Sequence, residues 1–188
     1  MRVIAGKYRG QRLHQPRSDA IRPTTDRNRE SLFNILEHGV KDIDFEDIRV
    51  LDLFSGTGAL GIEALSRGAG FCLFVDDNAA ARALVRQNIE KLNLTGITKI
   101  FRRNATRLGT SGRFGQFDLI FCDPPYGQDL GVQAIASALE GGWVRAGAIL
   151  VLEEQKDAVI EDMPGLDLID QRIFGETQYF IFRSSYDG

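Results

Sequence analysis

The chain has 188 residues, 43% of them hydrophobic and 26% charged, a balance that excludes disordered and fibrous classes and favours a single domain with a real core. The formal net charge is −3, yet residues 1–30 hold eight Lys/Arg against three acids, a local +5 that leaves −8 on the remainder. No run of 18 apolar residues exists, Met1 to Arg12 alternates charge with short apolar pairs, and two cysteines and two histidines offer no metal-ligand spacing; a cytoplasmic, metal-free protein without a membrane segment is expected.

The first 14 residues predict a hairpin, Arg2 to Ala5 and Gln11 to His14 around the turn region Gly6 to Gly10. A Pro/Arg/Ser/Asp stretch, Gln15 to Thr25, then breaks regularity. Thr24, Thr25 or Asp26 caps a helix with Leu32, Phe33, Ile35 and Leu36 on one side, and Gly39 stops it. We expect residues 1–20 to form a basic hairpin extension and residues 21–188 the main domain. From Arg49 the pattern becomes strand, loop, helix. Arg49–Phe54, Phe71–Val75, Ile97–Phe101, Phe117–Cys122 and Ala148–Leu152 read as apolar strands, with a helix through Ala64 and Leu65 that follows the Gly56–Gly61 loop and ends before Gly68, a second after a cap at Asn78, and a third around Val132–Leu139. Leu166–Phe174 and Gln178–Arg183 read as a closing antiparallel pair. Cys72 and Cys122 fall inside strands and are expected to be core residues.

Alternation of this kind implies an α/β fold, a mostly parallel sheet with helices on both faces, which binds ligands at the carboxyl ends of its strands. The residues of chemical interest fall there. Gly56-Thr-Gly58-Ala-Leu-Gly61 has the form G-x-G-x-x-G, and Asp76 follows 20 residues after Gly56, the spacing of an acid that accepts hydrogen bonds from a ribose. These residues point to an adenosine-containing cofactor. Asp52, inside the first strand, would repel a pyrophosphate but attract the ammonium and sulfonium of S-adenosylmethionine; alternatively it hydrogen-bonds the glycine loop.

The fourth strand runs directly into Asp123-Pro124-Pro125-Tyr126, two prolines fixing a rigid turn. This motif resembles the D/N-P-P-Y/F signature of amino-methylating enzymes. The resemblance implies that the acid and a proline carbonyl accept hydrogen bonds from an exocyclic amine while the aromatic ring stacks on the base. Such an amine is a poor nucleophile because its lone pair is delocalised into the ring. Two acceptors localise that pair, so position and polarisation replace a strong base. The base must be unpaired or flipped out to reach the donor.

Four segments together resemble the RsmD family: Arg2-Val-Ile-Ala-Gly6 with Tyr8-Arg-Gly10, Arg22-Pro-Thr-Thr-Asp-Arg27 with Arg29-Glu30, the run from Asp52 to Ala64, and Asp123 to Tyr126. The resemblance spans nearly the whole chain. It implies a Rossmann-like class I methyltransferase with a seven-stranded sheet, transferring a methyl group from S-adenosylmethionine to the N2 amine of a guanine in 16S (small-subunit) ribosomal RNA, within an assembling particle. It assigns Asp52, Gly56, Gly58, Asp76, Asn104 and Ala105 to the cofactor, Asp123, Pro124, Pro125 and Tyr126 to the target base, and the basic arm to RNA. For the arm, Arg9, Arg12, Arg22 and Arg29 are the expected contacts. Competing readings are a DNA adenine-N6 or cytosine-N4 methyltransferase and a noncatalytic RNA-binding assembly module.

Overall fold

The computed structural model describes residues 1–16, 25–41 and 43–185. After the N-terminal hairpin come helix α1 (Asp26–His38), β1 (Arg49–Leu53), α2 (Ala59–Ser66), β2 (Phe71–Val75), α3 (Ala79–Lys91), β3 (Thr98–Phe101), β4 (Phe117–Cys122), α4 (Leu130–Glu140), β5 (Val144–Gln155), β6 (Leu166–Phe174) and β7 (Thr177–Ser184). The strands form one seven-stranded sheet in the order β3-β2-β1-β4-β5-β7-β6. Strands β1 to β5 are parallel, and β7 runs antiparallel to both β5 and β6.

Period-two alternation divides each central strand between two cores. Val50, Cys72, Phe74, Leu119, Phe121 and Val151 pack on one side, under α1, α2 and α3. Leu51, Leu53, Leu73, Val75, Ile120 and Leu152 pack on the other, with Ala134, Ile135 and Ala138 of α4 and with Trp143. Both cysteines are free and buried, as expected of core residues, and burial holds their thiols well above the ordinary range.

Local chemistry sets the helix ends. Thr25 accepts a hydrogen bond from Asn28 N at 3.1 Å and so caps α1, and Gly39 N–H closes it on the Ile35 carbonyl. Asn78 accepts from Ala80 N and Ala81 N at 2.8 and 3.2 Å, capping α3. β5 is the main departure from expectation. It starts before Ala148 and continues past Leu152 to Gln155, because β7 supplies partners for Glu153, Glu154 and Gln155.

The N-terminal hairpin closes through the Arg2–Arg12 bridge. It is docked against α2. Val3 and Leu13 are buried in the core beneath α1 and α2. Buried Glu63 accepts hydrogen bonds from Ile4 N at 2.8 Å and Ala5 N at 3.0 Å, and from Arg67 Nε at 2.9 Å. Arg67 also pairs with Glu37 of α1 at 2.7 Å and lies over the Phe33 ring, so one carboxylate and one guanidinium tie together arm, α2 and α1. Removing one partner of such a buried pair strands the other charge. Glu63→Ala is therefore expected to cost about 3 kcal/mol, read as a lower urea midpoint, and to expose the arm to limited proteolysis; an unchanged midpoint would show that Val3 and Leu13 alone hold it.

Candidate active site

The sheet register brings the predicted residues to one edge. Leu53 lies opposite Val75 on one side and Cys122 on the other, so the glycine loop, Asp76 and Asp123 leave three adjacent strands at the same level. Neighbouring strands are about 4.8 Å apart, which separates Asp76 from Asp123 by about 10 Å across the loop.

The loop is built by strained backbone and clamped by two carboxylates. Phe54 has φ 57, a left-handed conformation that bulky residues rarely adopt, and Gly56 and Gly58 follow at φ 53 and 76. Gly58 is the N-cap of α2 and has no side chain with which to occupy the helix amides. Asp76 Oδ2 accepts from Gly56 N at 3.0 Å, while its Oδ1 accepts from Asn78 N at 2.9 Å. Asp52 Oδ2 accepts from Gly61 N at 3.0 Å. That bond is possible because Gly61 sits hard against the sheet: a Cβ there would lie 2.5 Å from the Phe74 ring and 2.6 Å from Cys72 Sγ.

Asp52 thus takes the second of its two sequence readings. Its carboxyl is 2% exposed and lies beneath the loop, not on its open surface. Burial pushes its pKa up to about 8, opposed by the Gly61 amide and reinforced by the Asp76 charge. Asn104 stays exposed after β3 and caps its own turn: its side-chain oxygen accepts from Thr106 N at 2.9 Å and Thr106 Oγ1 at 2.8 Å at the start of Ala105–Arg107. Ala105 is buried in the core on the α4 side.

Asp123 is half-buried beside β1, Pro124 is buried and Pro125 exposed. The Tyr126 hydroxyl donates to Glu153 Oε1 at 3.1 Å and lies 3.4 Å from Thr177 Oγ1. Burial raises the Tyr126 phenol, and the nearby Glu153 and Asp123 charges add to the shift. Sequence reasoning missed Glu153 and Thr177. The available signal was the pair Glu153-Glu154 on a strand beside β4: Cys122 opposite Leu152 sets Glu153 level with Asp123.

The arginines expected to meet RNA separate. Arg9 is exposed on the hairpin turn, beside the C-terminal end of α2, whose eight residues span roughly 12 Å away from the glycine loop. Arg12 is exposed at the hairpin bridge. Arg22 lies outside the described residues. Arg29 is a correction: it is fully buried, with Nη2 donating to the Arg2 carbonyl and to Asp26 Oδ1, so it fastens the arm to α1 and offers no surface to RNA. The spacing of Arg29 on α1 explains this, since it lies one turn before Leu32 and Phe33 on the buried face.

A parallel sheet of this strand order, with a glycine loop after β1, an acid after β2 and an Asp-Pro-Pro-Tyr corner after β4, defines a Rossmann-like class I methyltransferase. The profile of the family described as conserved hypothetical protein 95 matches residues 1–183, and the chain belongs to that family, the RsmD family indicated by its motifs. It is 32% identical to ribosomal RNA small subunit methyltransferase D of Escherichia coli K12, over 100% of this chain and 92% of that protein. It is 35% identical to YlbH of Bacillus subtilis, named as an rRNA methyltransferase, over 97% and 98% of the two chains. The solved Escherichia coli structure described as the methyltransferase yhhF superposes with TM-score 0.81 at 31% identity, covering 98% of this chain and 97% of that one.

The buried Asp52 makes stability depend on pH. Its folded value of about 8 exceeds the unfolded value of about 3.9, so the folded chain keeps a proton that the unfolded chain has released, and stability is lost as pH rises between those values. In the cofactor-free protein, urea midpoints should fall from pH 5 to pH 9 relative to Asp52→Asn, which carries no such proton. Parallel curves for the two proteins would remove Asp52 as the cause.

Proposed function

We propose that the chain transfers a methyl group from S-adenosylmethionine to the exocyclic N2 amine of a guanine in small-subunit ribosomal RNA. One observation carries this reading: the clamped glycine loop with Asp76 and the Asp123-Pro124-Pro125-Tyr126 corner leave adjacent strands at one level, so donor and acceptor sites share a crevice. The relatives that act on ribosomal RNA by name support the substrate class.

The residues fit the cofactor. Ser55 Oγ is buried within the loop without a hydrogen-bond partner, a polar atom that calls for one. Asp76 keeps unused lone pairs for a ribose, because each carboxylate oxygen accepts a single backbone amide. S-adenosylmethionine, when bound, supplies an electrophilic methyl group. The negative charge of Asp76 favours its cationic end through space, while Asp52 acts beneath the loop by holding the Gly61 amide.

On the acceptor side, Asp123 and the Pro124 carbonyl accept hydrogen bonds from the amine and pull its hydrogens out of the ring plane, which localises the nitrogen lone pair toward the methyl group. Tyr126 supplies the stacking face. Its hydroxyl is fixed by Glu153 and Thr177, so the ring is oriented before the base arrives. As the nitrogen forms its bond to the methyl group and the donor's carbon–sulfur bond breaks, the amine proton passes along its hydrogen bond to the Asp123 carboxylate.

The direct test is methyl incorporation into 16S ribosomal RNA, naked or in small subunits, isolated from cells lacking the protein. Mass mapping should find one N2-methylguanine restored; incorporation into duplex DNA alone would overturn the reading. Asp123→Ala should lower turnover by about 10²–10³ with cofactor affinity unchanged, since it acts on the acceptor. Asp76→Ala should weaken cofactor binding by about tenfold or more, measured by calorimetry. Tyr126→Phe and Glu153→Ala should each lower kcat/KM by about tenfold, and the double variant no further, because the two act as one unit; additive losses would refute the coupling.

A further inference from the structure

Of the described arginines predicted to meet RNA, Arg29 is buried and Arg9 sits a helix length from the crevice, which leaves Arg12, at the open end of the hairpin where Met1 meets Thr57 of the glycine loop. A different set of cations lies at the rim. β3 is an edge strand, and an open cavity of about 430 Å³ lies at its carboxyl end, lined by Arg102, Arg103, Asn104, Arg107 and Asp77. A second cavity of about 530 Å³ runs along the strand toward the amino ends of β1 and β2, with Arg49, Phe71, Lys99, Arg113 and the half-buried rings of Phe101 and Phe114 in its wall. Phe101, which lines the second, and Arg102, which lines the first, are consecutive residues at the end of β3. Lys99, Arg102, Arg103, Arg107 and Arg113 are all exposed. Among the described residues none of these five forms an ion pair with a carboxylate.

We propose that this strip along β3 is the seat of single-stranded RNA flanking the methylated base, its cations contacting phosphates and its rings offering stacking faces. The inference rests on the RNA reading given above and names the surface that reading lacks. Three observations support it. The strip starts at the crevice: Asp76 N donates to the Phe101 carbonyl at 3.3 Å, so the cations begin one residue beyond the contact with the acid assigned to the cofactor ribose. Next, the cations have no use for the cofactor, which carries no phosphate and is itself positive at the sulfonium, whereas a phosphodiester chain satisfies unpaired guanidinium groups. Third, the strip is prepared before any ligand arrives. Arg103 Nε donates to the carbonyls of Arg107 and Leu108, both at 3.1 Å, which sets its outer nitrogens in place, and the Arg113 guanidinium lies 5.5 Å from the Phe114 ring centroid. Cations interleaved with aromatic faces favour a single strand over a duplex, whose bases are already stacked. Asp77 is the one acid in the first cavity and sits on its cofactor side.

The test uses the full chain and the triple variant Lys99→Gln, Arg102→Gln, Arg107→Gln, sparing Arg103 because it holds the loop. A matched control, Lys41→Gln, Lys156→Gln, Arg172→Gln, removes the same charge at exposed positions that line neither cavity. Affinity for a mixed-sequence single-stranded oligoribonucleotide is measured against salt, together with cofactor affinity and KM for the ribosomal RNA substrate. The strip variant should bind RNA at least tenfold more weakly, with a salt slope shallower by about 2, a raised KM and unchanged cofactor affinity, while the control follows the parent. Equal losses in both variants, or an unchanged slope in the strip variant, would overturn the proposal. Should the parent bind RNA through the strip yet methylate no ribosomal RNA, the proposed activity fails and the strip stands. If the parent methylates normally and the strip variant matches it in KM and slope, the strip fails and the activity stands.

Discussion

Two backbone amides and two carboxylates hold the crevice in shape. Gly56 N donates to Asp76 and Gly61 N to Asp52, so the loop after β1 is fastened at its start to the end of β2 and at its finish to the strand it leaves. Between these fixed points the chain turns through left-handed conformations at Gly56 and Gly58, costly for other residues and tolerable only because the clamps over-determine the path. The absence of a Cβ at Gly61 lets the helix start approach Phe74 and Cys72 closely enough for its amide to reach Asp52. The same glycines that open the loop to a ligand thus allow it to be tied down, and site geometry and loop stability are one property.

The arm obeys a similar logic at the back of α2. A short hairpin with one bridge is too small to be stable in water alone. Here its strand amides find Glu63, its apolar residues enter the core, and the buried Arg29 bonds its backbone at Arg2. A basic arm is thereby turned from a free polycation into part of the domain. Arg29 is consumed in the process and Arg2 pairs with Asp26, which is why net charge over 30 residues overstates what is left for a partner.

Much of this architecture is legible in the order of the residues alone. Strands β2, β4 and β6 have the boundaries that their apolar runs imply, and the caps at Thr25 and Asn78 follow from residue chemistry. The motif residues reach one edge because the strands preceding them are parallel and in register. Expectation and structure part where the deciding partner is remote in the chain or competes locally. β5 extends past Leu152 only because β7 pairs with it, so Glu153 reads as a strand end followed by a loop. Arg29 reads as one more cation, since its burial depends on the Arg2 carbonyl 27 residues earlier. The cap that Asn104 places on its own turn is likewise hidden, because nothing in the linear spacing reveals it.

The electrostatic layout joins these parts. Asp76, Asp123 and Glu153 place three carboxyl groups at the crevice at one level of the sheet, with the Asp52 carboxyl buried two residues back beneath them, while the cations at the end of β3 stand at the rim. A low-dielectric crevice of that sign repels phosphate and attracts a sulfonium. A nucleotide approaching it is sorted by its own chemistry: the phosphodiester is driven toward the rim, and the neutral base is the part that can enter. Amine hydrogens are then the groups best matched to the acceptors waiting there. On the proposed function, selection of a base amine over a backbone oxygen rests on where the charges sit, before any contact specific to one nucleobase is made.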